Sequence, residues 1–118
     1  MLKGLLLKES LSELSLLDSL QITKTEIWQV SNAVAWQPTT WTAVSFEADN
    51  DQADELAERM SQALKPMWYI NGSTEDMVYV IFPERVFKYR KGDLEQRSAA
   101  REFGRMIGVP ESQLDWGE

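Results

Sequence analysis

Met77 to Phe82 is six apolar residues in succession, stopped by Pro83. A strand that is apolar on both faces cannot sit at a wet margin, so this run predicts an inner strand of a sheet and commits the chain to a β-containing fold. The 118 residues include no cysteine and no histidine. Neither disulfides nor a zinc site of the usual kind can staple the fold, and its stability has to come from one apolar core. Hydrophobic residues at 43% and charged residues at 26% are in the range of folded chains. The length fits a single domain over residues 1 to 118.

The other elements follow from local pattern. Residues 2 to 8 read as a first strand. Ser10 with Glu13 has capping-box spacing and predicts a short helix that carries Leu11, Leu14, Leu17 and Leu20 on one face. Strand signals return at Thr25 to Val30 and at Thr40 to Glu47, joined by a loop at Ser31 to Thr39. Ala53, Leu56, Ala57, Met60, Ala63 and Leu64 share one side of a helix that turns about 100° per residue. Asp49 to Asp51 are expected to cap that helix at its start, and Pro66 follows its last turn. Met67 to Ile70, an Asn71-Gly72 turn and Met77 to Phe82 suggest a hairpin, with Val86 to Arg90 as an edge strand. Asp93 with Gln96 opens a last helix that ends at Gly108, and Leu114 and Trp116 anchor the tail.

This order resembles the ferredoxin-like βαββαβ arrangement, an α+β two-layer sandwich with a mostly antiparallel sheet, here with an added C-terminal strand and helix. Two helices are expected to cover one side of the sheet, with the third at an edge or end. The predicted core includes Ala53, Leu56, Met60, Leu64, Val78, Val80 and Phe103.

Without imidazole or thiol, catalysis would fall to carboxylates, tyrosine, lysine or hydroxyls working at strongly shifted pKa, or to a hard metal ion. A carboxylate- or tyrosine-based enzyme, with or without Mg²⁺, is therefore the alternative reading. Asp49, Asn50, Asp51 and Asp54 lack the ligand order, glycine and closing glutamate of a calcium loop, and fit a helix start better. Asn71 to Thr74 precedes no helix and lacks the lysine of a phosphate loop, so a plain turn is expected. Tyr69, Tyr79 and Tyr89 fall in strands, where rings fill space. No motif requires a cofactor or metal.

Charge supplies the leading hypothesis. The net charge of −7 repels nucleic acid, yet Glu84 to Arg105 holds seven basic residues against four acidic, leaving +3 there and −10 elsewhere. Arg97, Arg101 and Arg105 recur every four residues opposite a face centred on Phe103, which should turn them to solvent. Lys88 and Arg90 share a strand face and could extend the patch. Guanidinium groups suit carboxylate or phosphate, so the row predicts a non-catalytic binding or assembly module for an acidic protein surface or a small anion. Asp54, Glu55 and Glu58 offer a counterpart through which two copies could form a homodimer. Trp36, on the 31 to 39 loop, is a second candidate contact, and Trp28 and Trp41 are expected to pair across strands. The apolar start Leu5 to Leu7 is closed by Lys8 and Glu9, too early for a leader, and no run approaches the length of a membrane span. A cytoplasmic setting is expected.

Overall fold

The computed structural model describes residues 1–31 and 33–116. They form a mixed α+β fold built on one six-stranded antiparallel sheet: β1 (Leu2–Leu7), β2 (Gln21–Gln29), β3 (Thr40–Ala48), β4 (Ile70–Ser73), β5 (Met77–Phe82) and β6 (Arg85–Arg90). Two α-helices accompany it, α1 (Ala53–Ala63) between β3 and β4, and α2 (Leu94–Met106) after β6. The sheet order β2-β3-β1-β4-β5-β6 places β1 and β4 at the centre, with β2 and β6 at the margins. Because β3 and β4 flank β1, the connection through α1 crosses over the first strand.

The two faces of the sheet hold different cores. Leu2, Leu6, Val44, Phe46, Ile70, Tyr79 and Ile81 cluster with Ala53, Leu56, Ala57 and Met60 of α1. The alternate residues Val78, Val80, Phe82 and Tyr89 cluster with Ala100 of α2 and with Val109, Leu114 and Trp116 of the tail. β5 is therefore buried on both sides, as its unbroken apolar run requires. It also follows that α1 and α2 lie on opposite faces of the sheet, so that the last helix, expected at an edge or end, covers the second face.

The helix that a ferredoxin-like βαββαβ arrangement would place after the first strand does not form. Here β1 leads into two 3-10 turns, Lys8–Ser10 and Leu14–Ser19, whereas the strand expected after the helix at 53–64 is present as β4, with β5, β6 and α2 following it. The predicted first helix fails because its backbone is engaged elsewhere. Leu11 bridges Leu64, Ser12 N–H donates to Ala63 O at 2.7 Å, and Lys65 N–H donates to Ser10 O at 2.8 Å. Ser10 is buried and donates to Leu7 O at 2.6 Å, so it does not cap a helix.

Asn71-Gly72 is not a turn either. Both residues lie within β4, paired with β1 on one side and β5 on the other. A Cβ at position 72 would lie 3.1 Å from the Lys3 carbonyl oxygen and 3.3 Å from the Gly4 Cα, so close strand approach explains this glycine. The reversal comes later, where Thr74 N–H donates to Met77 O and the Thr74 hydroxyl accepts from Met77 N–H. The segment before β4 turns at Pro66 and Met67, the latter at φ 68°.

α2 behaves at its ends as predicted. The Asp93 carboxylate accepts from Gln96 N–H at 3.1 Å, and Gly108 adopts φ 97° as Val109 N–H donates to Gly104 O. Around its axis it is rolled by roughly a quarter turn from the expected orientation. Ala100 and Gly104 are fully buried and Phe103 half-buried, whereas Met106 is 74% exposed. The smallest side chains of the helix permit the closest approach to Phe82 and Leu114, and this decides which face packs. Of the predicted core only Phe103 stays half-buried; the other six residues are buried.

Candidate functional site

α2 and the tail cover the β5 and β6 part of the second face, and over β1, β3 and β4 that face stays open. The result is a cavity of about 630 Å³. Leu5 and Leu7 of β1 and Asn71 of β4 contribute from the sheet, Trp28 and Trp41 from the β2–β3 ribbon, Trp68 and Tyr69 from the approach to β4, and Gln113, Asp115 and Trp116 from the tail. Trp28 and Trp41 oppose each other in register, as expected, which sets Trp28 at the outer wall with 37% of its surface exposed. The left-handed turn at Met67, itself a lining residue, delivers Trp68 to the cavity. Trp68 meets Trp41 edge-on with ring centroids 5.5 Å apart.

The wall formed by the tail is fixed by polar contacts. Tyr69 Oη donates to the Gln113 carbonyl. Gln37 and Gln113 exchange side-chain amide hydrogen bonds of 2.9 and 2.7 Å, tying the 31 to 39 loop to the tail. Trp116 Nε1 donates to Tyr89 Oη at 2.8 Å. Burial first, and then the Asp115 carboxylate, push the Tyr69 phenol above its ordinary value, so it remains a neutral donor. Asp115 is the one formally charged side chain lining the cavity, and it makes no ion pair or side-chain hydrogen bond to another described residue.

The arginine row lies elsewhere, Arg105 exposed and Arg97 and Arg101 half-buried, and its guanidinium groups are engaged by the chain's own tail and helix. Arg97 donates to the Trp116 carbonyl at 2.7 Å and lies 5.6 Å from the Trp116 ring centre. Arg101 reaches Glu111 at 3.5 Å, and its Nε is buried without a hydrogen-bond partner. Arg105 binds Glu111 through Nε and Nη2 and Glu102 through Nη1. The quarter-turn roll of α2 brings Arg97 and Arg101 to the border of its packed face, and the tail supplies their partners. Lys88 and Arg90 do share a strand face, but it is the α1 face, opposite the row they were expected to extend. Trp36 is 43% exposed and stands edge-on to Trp68 at 5.6 Å, outside the cavity wall.

On the α1 face, Tyr79 Oη donates to Asp54 Oδ1 at 2.7 Å and Lys88 Nζ to the same oxygen at 3.0 Å. This is the carboxylate–tyrosine pair an acid/base enzyme would offer. Its titration runs the other way. The Tyr79 hydroxyl and then Lys88 hold Asp54 below its ordinary value, burial and then Asp54 raise Tyr79, and Asp54 and then Tyr79 raise Lys88. Each pKa is moved away from neutral pH, as suits a structural ion pair. It also occupies Asp54, a residue expected to face the arginine row of a second copy. No group of three or more Asp or Glu that could hold a metal converges among the described residues. The Asp49 to Gln52 start of α1 closes through its backbone, Gln52 N–H to Asp49 O, without the expected side-chain cap.

Trp68, Trp116, Tyr69, Asp115 and Gln113 were not legible as a site. Pro66 before Trp68-Tyr69 and the Trp116 anchor were visible, but nothing in their spacing brings them together. No protein-family model matches the chain, no curated protein matches it in sequence, and no solved structure matches it in fold. Among the described residues no helix is long and apolar enough to cross a membrane.

Proposed function

We propose that this chain is a non-catalytic binding module whose aromatic cavity holds a small organic cation, an alkylated or quaternary ammonium. The observation that carries this reading is the composition of one wall set: four tryptophans and a tyrosine around about 630 Å³, with Asp115 the single charge and no lysine or arginine among the lining residues. That volume falls in the range of sites for small molecules, roughly 300–1,000 Å³. Aromatic faces attract cations through the ring quadrupole, a carboxylate at the rim adds to this, and the net charge of −7 raises local cation concentration. The acidic partner or small anion expected from the arginine row has weaker support, because Glu102, Glu111 and the Trp116 carbonyl already take those donors.

Calorimetric titration with (2-hydroxyethyl)trimethylammonium and with its neutral isostere 3,3-dimethylbutan-1-ol tests the proposal. The cation should bind and the alcohol bind more weakly. Trp28→Ala should weaken the cation about two- to fivefold, the worth of one partly exposed cation–π contact. Equal affinity for the two probes, or binding of neither, would overturn it.

A further inference from the structure

β2 is a nine-residue margin strand in which every residue is exposed, including Ile22 at 44% and Ile27 at 63%. A long exposed edge with apolar side chains is a template for another strand. The other margin, β6, carries Arg85, Lys88 and Arg90 within six residues, so pairing with itself would set like charges together. β2 differs. Lys24 and Glu26 lie two residues apart on one face, 3.2 Å from each other, with Thr25 between them.

We propose that two copies of this chain join edge to edge through β2, antiparallel about a two-fold axis at Thr25. In that register Lys24 stands opposite the partner's Glu26 and Glu26 opposite the partner's Lys24, so both charges are matched twice. Neighbouring registers that keep the same faces aligned set Lys24 against Lys24 or Glu26 against Glu26, and are disfavoured. A two-fold contact of this kind closes on itself and does not propagate. The bulge at Thr23, between Ile22 and Lys24, breaks the alternation at one end and confines regular pairing to the part of the strand centred on Thr25.

Charge exchange between copies gives the test. Light scattering coupled to size exclusion at about 100 µM, well above a micromolar dissociation constant, should return twice the 13.6 kDa chain mass for the unaltered protein. Lys24→Glu alone and Glu26→Lys alone should each weaken association about tenfold or more, since each sets like charges opposite. Mixing the two variants should restore the dimer, because all facing pairs are then opposite in sign, and that recovery shows that both had folded. A monomeric unaltered chain, a dimer that both variants retain, or a mixture that stays monomeric would overturn the proposal.

Discussion

Gly104 is the contact on which the seating of α2, and with it the position of the arginines and the tail, depends. Alanine is favoured over glycine inside a helix by about 1 kcal/mol. At an open site Gly104→Ala would therefore stabilise the protein. Here the new Cβ would lie 2.7 Å from Leu114 Cδ2 and 3.2 and 3.3 Å from two carbons of the Phe82 ring. Leu114 is 1% exposed and Phe82 0%, so neither side chain can swing clear into solvent. Overpacking of a core in this way costs about 1–3 kcal/mol. Against the propensity gain, the net is a loss of about 1 kcal/mol, or about 4 °C in Tm for a domain of this size. Thermal and urea unfolding would read it. In a Leu114→Ala background the closest obstacle is gone, so the same glycine change should become neutral or favourable, a coupling of about 1–2 kcal/mol. Stabilisation of the parent protein by Gly104→Ala would refute the packing of this face, and with it the account of why the arginines meet the tail.

Two further outcomes follow from the structure. Gly4→Ala should cost about 3 kcal/mol or more, measured by urea unfolding, because its Cβ would lie 2.6 Å from the Phe46 ring and 2.8 Å from the Asn71 carbonyl oxygen, a backbone atom of the paired strand that cannot give way. Asp54 is held below its ordinary pKa by Tyr79 and Lys88, so its contribution is full above the ordinary carboxylate range and is lost as pH falls through it. The stability gap between the parent and Asp54→Asn should therefore be widest at neutral pH and close on acidification; a gap that does not change with pH would contradict that ion pair.

Patterns that depend on near neighbours were legible in the sequence. The apolar face of α1, the both-sided burial of β5 and the cap at Asp93 each follow from residues a few positions apart, and each formed. What failed depended on distant partners. Leu11 to Leu20 has a helical pattern, but Ala63 and Leu64 claim the backbone of its first two residues, and only the end of α1 could reveal that. Asn71-Gly72 carries a strong turn signal, yet the glycine serves β1 lying alongside. For α2 the side-chain periodicity favoured the face centred on Phe103, whereas tight packing against Phe82 and Leu114 selected Ala100 and Gly104. The candidate site was hidden for the same reason: its walls come from strands, a turn and the tail between residues 5 and 116, and no local spacing records their meeting.

The five indole N–H resonances and the arginine Nε–H resonances of this chain can be followed in one ¹H–¹⁵N spectrum during titration with (2-hydroxyethyl)trimethylammonium and, separately, with inorganic phosphate. The account predicts that the cation shifts the signals of Trp28, Trp41 and Trp68 while those of Arg97, Arg101 and Arg105 stay in place, and that phosphate moves neither set. Arginine signals that respond to phosphate while the indoles ignore the cation would contradict it.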